Sequence, residues 1–308
     1  MHVGFDLGGS KLAGVLTDDK GSVLASHVTA TPAHGRWVVS ALLDMVDDLC
    51  QSANAEIDTV EFVGLGIAAL VAPDGSIHGS THLGGLRGLD LRQSLADAGR
   101  WKVEVDNDAN CAARAGIGGS SDNFGFIGIG TGIGGAIVRD SRVERGAHGF
   151  AGEIGHMIVV AGGEQCPCGK RGCLEAYASG RALRRMVERA FVKGRLPELV
   201  DVTAPQRPPL TQAIFEGTKD CAGAAEIIRE FAFYLAVGIS NLVELYDLDK
   251  VLLGGGVSDS FALFSEDLRT QYDAVMVSPR KVAPVEIAAV PFGSLAGAVG
   301  AARMAADF

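Results

Sequence analysis

The chain has no basic leader and no apolar run long enough to cross a bilayer. Met1-His2-Val3-Gly4-Phe5-Asp6 goes straight into a strand-like run, so neither secretion nor membrane insertion is expected. Positive charge is also in short supply. Against 37 Asp and Glu stand 27 Lys and Arg, a formal net charge of −10, and no basic stripe offsets the deficit. Nucleic-acid binding through phosphate contacts is therefore not expected. A disulfide framework is missing as well. Cys50, Cys111 and Cys221 each sit alone in apolar or helical context, where a free thiol behaves as a small hydrophobe. The expected compartment is the reducing cytoplasm. With 47% apolar and 21% charged residues, the 308-residue chain reads as a soluble globular protein of one large or two medium domains.

What the chain has in quantity is glycine, 42 residues grouped at Gly8-Gly9, Gly84-Gly85, Gly118-Gly119, Gly128 to Gly135, Gly162-Gly163 and Gly254 to Gly256. Clustered glycine marks backbone that turns tightly or comes close to a ligand. The densest chemistry runs from Gly152 to Glu175. His156 is followed by Cys166, Cys168 and Cys173, one nitrogen and three sulfur donors, the set a closed tetrahedral Zn²⁺ site takes. Gly169 and Gly172 let so short a loop gather its sulfurs at one point.

In chain order, His2 to Leu7, Leu12 to Thr17 and Ser22 to Thr29 read as strands. The joint Gly8-Gly9-Ser10-Lys11 follows the acid Asp6 and offers bare N–H groups to an anion, or forms a plain hairpin loop with Lys11 solvated. Trp37 to Ala53 has the spacing of an amphipathic helix, Val60 to Ile67 that of a buried strand, and Leu89 to Ala98 that of a short helix. Strand Val103 to Val105 then delivers Asp106-Asn107-Asp108-Ala109-Asn110, with a helix expected from Ala109. Strand Asn123 to Gly130, loop Thr131-Gly132-Ile133-Gly134-Gly135 and strand Ala136 to Arg139 repeat the opening arrangement, which predicts two related halves. Beyond the cysteines come helix Ala178 to Val192, a proline-rich insertion from Pro197 to Pro209, helix Ala224 to Tyr246 and strand Lys250 to Leu253. Gly254-Gly255-Gly256 follows that strand and would let a bulky ligand lie on the backbone. A final strand, Pro284 to Val290, and an alanine- and glycine-rich helix, Ser294 to Ala305, are expected to close the chain by returning to the first half.

A phosphate cradle, a carboxylate for Mg²⁺ and a carboxylate to take an acceptor's proton are the parts of phosphoryl transfer from a nucleoside triphosphate to a hydroxyl. Asp106 and Asp108 both qualify as the base, and periodicity does not choose between them.

At these residues the chain resembles the ROK sugar kinases along nearly its whole length. Asp6-Leu-Gly-Gly-Ser-Lys11 and Gly130-Thr-Gly-Ile-Gly-Gly135 look like the family's two phosphate motifs, and Asn107-Asp108-Ala-Asn110 like its catalytic motif. Gly152-Glu-Ile-Gly-His156 with Cys166-x-Cys168-Gly-x-x-Gly-Cys173-x-Glu175 looks like its diagnostic signature, and Leu253-Gly-Gly-Gly-Val-Ser258 like its adenosine site. The resemblance implies an α/β protein of two actin-like, ribonuclease-H-like domains of the hexokinase type with a cleft between them. Residues 1–115 with 294–308 would form the smaller domain and 116–293 the larger. It also implies ATP with Mg²⁺, a structural Zn²⁺, a hexose acceptor phosphorylated at its 6-hydroxyl, most often glucose, and a homodimer.

By the same resemblance Asp108 is the general base and Asn107 holds a neighbouring hydroxyl. Glu153, His156 and Glu175 bind the anomeric side of the sugar, and His156, Cys166, Cys168 and Cys173 hold the metal. Asp6, Gly8, Gly9, Ser10, Lys11, Thr131, Gly132, Gly134, Gly254, Gly255 and Gly256 serve the nucleotide. Residue by residue, Glu175 also fits a helix-start carboxylate and Glu153 a turn cap. The chain departs from the family pattern at Ile67-Ala68-Ala69-Leu70, and again at Thr81-His82 and Gly85-Leu86, where His82 replaces an asparagine. In the family those segments help shape the side of the sugar pocket away from the zinc, so an N-acetylmannosamine, N-acetylglucosamine or fructose kinase competes with a glucokinase. A non-catalytic sugar sensor is disfavoured by the intact Asp108 and loops. A repressor is disfavoured because only five residues precede Asp6.

Overall fold

The computed structural model describes residues 1–78, 90–196, 210–276 and 283–307. The expected insertion at 197–209 and His82 with its neighbours lie outside the described residues. The chain divides into two compact units: Met1–Asp122 with Ala136–Gly152 and Val290–Phe308, and Asn123–Gly135 with Glu153–Ala289.

In the first unit, β1 (His2–Leu7), β2 (Lys11–Thr17), β3 (Val23–Ala30), β4 (Phe62–Ile67) and, after the short hairpin β5 (Leu70–Val71) and β6 (Ile77–His78), β7 (Lys102–Asn107) supply the first sheet. Its order is β3-β2-β1-β4-β7, antiparallel across β3, β2 and β1 and parallel from β1 to β7. Nearly every residue of β2 and β4 is buried, because the sheet is covered on its faces and its strands read as unbroken apolar runs. Helices α1 (Val38–Ser52), α2 (Leu91–Gly99) and α3 (Asp108–Ala115) accompany them. Asp90 caps α2 by accepting from the Gln93 N–H at 2.9 Å.

The C-terminal helix Ala296–Ala302 returns to the first sheet, as its small residues predict, and is shorter than expected because turns of 3₁₀ helix flank it. Backbone meets backbone there. A Cβ on Gly4 would lie 2.0 Å from the Ala298 carbonyl oxygen, and one on Gly64 would lie 2.0 Å from that of Ala301. The Arg303 guanidinium then reaches the end of α3 and donates to the carbonyls of Arg114, Ala115 and Ile117 at 3.0–3.4 Å.

The second sheet is built from β8 (Phe124–Ile129), β9 (Ile133–Arg139), β10 (Arg142–Val143), β11 (Lys250–Gly254) and β12 (Glu286–Ala289) in the order β10-β9-β8-β11-β12. Each sheet thus runs third-second-first-fourth-fifth in its own strand sequence, the internal repeat that the two glycine loops announced. The second unit holds α4 (Glu175–Ala178), α5 (Gly180–Val192), α6 (Leu210–Glu216), α7 (Ala222–Tyr246) and α8 (Phe261–Val275). Phe215, Phe231 and Phe264 pack ring against ring at centroid distances of 5.2–6.1 Å where the last three meet. Helix α7 stops where Asp247 turns left-handed, φ 56°.

The two compact units are drawn differently from the two domains that the resemblance implies. Ala136–Gly152 groups with the first unit instead of lying inside a continuous 116–293 domain, and the outer boundaries fall after Asp122 and Ala289. The reason is local bonding. The Ser141 hydroxyl joins the Asp122 N–H and the Gly119 carbonyl, and Arg145 bonds Asp106 at 2.7 Å.

Candidate active site

Strand β7 ends on two carboxylates with different surroundings. Asp106 is 1% exposed, and both its oxygens are engaged. Oδ2 accepts from Arg145 at 2.7 Å and lies 3.8 Å from Arg114; Oδ1 accepts from Asn110 Nδ2 at 2.9 Å and the Asn107 N–H at 2.8 Å. Such a group anchors structure, since a buried charge persists only when paired and bonded. Asp108 instead opens α3, partly exposed, where the helix N-terminus favours a carboxylate. Its Oδ1 accepts from Asn107 Nδ2 at 3.0 Å.

Asn107 is the N-cap of α3. Its carbonyl oxygen accepts from the Ala109 and Asn110 N–H groups at 2.9 and 3.2 Å, and its Nδ2 also donates to the Ala69 carbonyl at 3.1 Å. The side chain therefore holds Asp108 to the Ala68-Ala69 segment. Sequence reasoning missed Arg145 and the Ala69 contact, which join residues 39 and 38 positions apart with no shared motif.

Asp6, near the end of β1, is a third carboxylate of this unit. Burial first, and then the neighbouring Asp108 charge, push it up to about 7, with Lys11 opposing. Gly297 makes room for it, as a Cβ there would sit 2.6 Å from the Asp6 carboxyl. The following loop is a tight turn closed by the Gly8 N–H on the Lys11 carbonyl at 2.9 Å, with Thr31 Oγ1 donating to the Gly8 carbonyl at 2.7 Å. Gly9 and Ser10 are exposed, and Lys11 Nζ reaches the Ser294 carbonyl at 3.3 Å.

In the second unit, Thr131, Gly132 and Gly134 lie in or beside the turn between β8 and β9. Thr131 and Gly134 are exposed. Gly254 ends β11 beside Gly128, Gly255 turns at φ +80°, and a Cβ on Gly256 would meet no atom within 4 Å. Open backbone of this kind can accept a flat ligand.

His156, Cys166, Cys168 and Cys173 converge, with their donor atoms all within 4.8 Å of one another. His156 Nδ1 lies 3.7 Å from Cys166 Sγ, and Cys168 Sγ lies 3.7 Å from Cys173 Sγ. Donors about 2.3 Å from one Zn²⁺ in a tetrahedron are separated by about 3.7 Å, so these edges fit the metal, whereas a disulfide requires sulfurs about 2.05 Å apart. Gly169 and Gly172, at φ +92° and +85°, make the turns that bring the sulfurs in. Without a cation, burial pushes the Cys166 thiol up to about 12. His156 Nε2 faces away toward Glu153, 3.7 Å from Oε2. Glu175, in the first turn of α4, places Oε2 on the Ile133 N–H at 2.9 Å.

Two sheets of one strand order with glycine turns at strand ends belong to the hexokinase-type α/β class of two actin-like domains. The chain belongs to the ROK family, whose model matches residues 2–307. A glucokinase from Streptomyces coelicolor is 31% identical, with all of this chain and 98% of that one covered. An N-acetyl-D-glucosamine kinase from Erwinia tasmaniensis is 32% identical over 86% of each chain. Among solved structures, a ROK family glucokinase from Streptomyces griseus in complex with glucose and AMPPNP matches with a TM-score of 0.85 at 30% identity, covering 100% of this chain and 99% of that one. The protein is an ATP-dependent sugar kinase. Among the described residues no helix is long and apolar enough to cross a membrane.

Proposed function

We propose that the protein transfers the γ-phosphoryl group of ATP to the 6-hydroxyl of a hexose, glucose first, with Asp108 as general base. The observation that carries this reading is the contrast at the end of β7: buried Asp106 is held by three hydrogen-bond donors with Arg114 at 3.8 Å, while Asp108, whose Oδ1 accepts from Asn107 Nδ2 and the Ala109 N–H, stands partly exposed on the helix start. The sugar hydroxyl gives its proton to Asp108 as its oxygen bonds to the γ-phosphorus. The bond from that phosphorus to the bridging oxygen breaks, and ADP leaves.

Asn107 fixes the Asp108 carboxylate. For Asn107 to hold a sugar hydroxyl as well, it would exchange one of its bonds to Ala69 or Asp108. Glu153, His156 and Glu175 take the anomeric side, Gly8 to Lys11 and Thr131 to Gly134 the phosphates, and Gly254 to Gly256 the adenosine. Mg²⁺ supplies neutralisation of the phosphate charge, and Asp6 is the carboxylate offered to it. His156 Nδ1 and the three thiolates would hold Zn²⁺, and with four protein donors its part would be structural. The same reading places the protein in the cytoplasm as a homodimer.

A second reading, a kinase for N-acetylglucosamine, N-acetylmannosamine or fructose, is favoured by the 32% identity to the N-acetyl-D-glucosamine kinase and by the departures at Ala68 and His82. Initial rates of ADP formation across a hexose panel separate the two. Glucose giving the highest kcat/KM supports the first, and an N-acetylated hexose or fructose giving it supports the second. No turnover with any hexose overturns both.

A further inference from the structure

The turn that reads as the second phosphate loop is gripped by the segment that leaves the cysteine knuckle. Glu175 Oε2 accepts from the Ile133 N–H at 2.9 Å. Further along, the Gly180 N–H donates to the Gly130 carbonyl at 2.9 Å, and the Arg181 N–H to that of Thr131 at 3.3 Å. The fit is steric as well as polar. A Cβ on Gly132 would sit 2.3 Å from Glu175 Oε2, and one on Gly155 would sit 2.2 Å from the Ile133 carbonyl oxygen. Gly155 adjoins the donor His156, and Glu175 lies two residues past the donor Cys173. Both walls of the loop are therefore set by residues next to cluster donors.

A glycine turn loses much conformational freedom when it is fixed on phosphates, and a turn already held in place avoids that loss at binding. We propose that Glu175 is a positioning residue for the second phosphate loop, so that the Cys₃His cluster supports nucleotide affinity and not the sugar wall alone. This rests on the phosphotransferase reading of Thr131 to Gly135. The Glu175 carboxylate has two oxygens, and Oε2 is the one bonded to the Ile133 backbone.

The test is calorimetric binding of Mg²⁺-AMPPNP to the full-length, zinc-loaded protein without sugar, together with hydrogen exchange at the Ile133 amide. Glu175→Ala removes the acceptor and lowers AMPPNP affinity about tenfold while speeding Ile133 exchange. Glu175→Gln keeps an acceptor oxygen and stays within about threefold of wild type. Wild-type protein stripped of metal by a chelator behaves as Glu175→Ala. Glu175→Ala that loses sugar affinity but binds AMPPNP like wild type overturns the proposal and leaves Glu175 a sugar contact. Wild-type protein that binds no AMPPNP overturns the phosphotransferase reading itself, a distinguishable failure.

Discussion

Arg145→Ala removes the 2.7 Å charged hydrogen bond on Asp106 Oδ2 and leaves the carboxylate 1% exposed with Arg114 at 3.8 Å as its nearest cation on that side. Truncating one partner of a buried ion pair costs about 3–5 kcal/mol, because the other charge stays buried. Arg145 is itself 32% exposed, and Asn110 and the Asn107 N–H continue to hold Oδ1, so the cost falls just below that range, about 2–3 kcal/mol. In a chain of this size the thermal midpoint falls by on the order of 3–5 °C. The assay is thermal or urea unfolding of wild type, Arg145→Ala, Asp106→Asn and the double variant. Once Asp106 is neutral, removing Arg145 costs less than about 1 kcal/mol, giving a coupling energy of about 1–2 kcal/mol. Arg145→Ala within about 0.5 kcal/mol of wild type, or additive single effects, refutes the assignment of Asp106 as a structural anchor.

Other outcomes follow from the same geometry. Gly4→Ala puts a methyl group 2.0 Å from the Ala298 carbonyl oxygen and lowers stability by about 3 kcal/mol or more, read by urea unfolding; a loss below about 1 kcal/mol contradicts the close packing of the C-terminal helix. Metal analysis gives about one Zn²⁺ per chain, and Cys166→Ser loses it; metal-free protein of undiminished stability and sugar affinity contradicts the cluster's role. Asp6 has a folded value of about 7 against an ordinary 3.8, so the folded state holds its proton longer than the unfolded one. Stability therefore falls as pH rises from about 4 to about 7 and then levels off. Asp6→Asn flattens that slope in thermal scans without nucleotide, and an unchanged slope contradicts the burial of Asp6.

The cysteine cluster and the glycine turns were legible in the sequence because their geometry is local: seventeen positions separate His156 from Cys173, and the turns follow their strands directly. The apolar runs of β1, β4 and β11 and the stripe of α7 likewise marked their elements within a few residues. The break between α4 and α5 was harder to see. Ser179 leaves the helical region, φ −96° and ψ 167°, and caps α5 by accepting from the Ala182 N–H at 3.1 Å, in a stretch whose apolar spacing alone predicts one helix from Ala178. Hairpin β5–β6 has strands of two residues, too short for a periodic signal. The choice between Asp106 and Asp108 depended on Arg145, and the second bond of Glu175 on Ile133, contacts 39 and 42 residues apart in sequence. Tertiary packing alone brings such partners together.

The most direct test of the account is Asp108→Asn, with sugar and Mg²⁺-AMPPNP affinities measured beside kcat. The substitution keeps the shape and an oxygen that can accept from Asn107 Nδ2, but it removes the base. With Asp108 as the base, both affinities stay within about threefold of wild type and kcat falls by about 10² to 10⁴. A variant that turns over sugar at a rate near that of wild type contradicts Asp108 as the base.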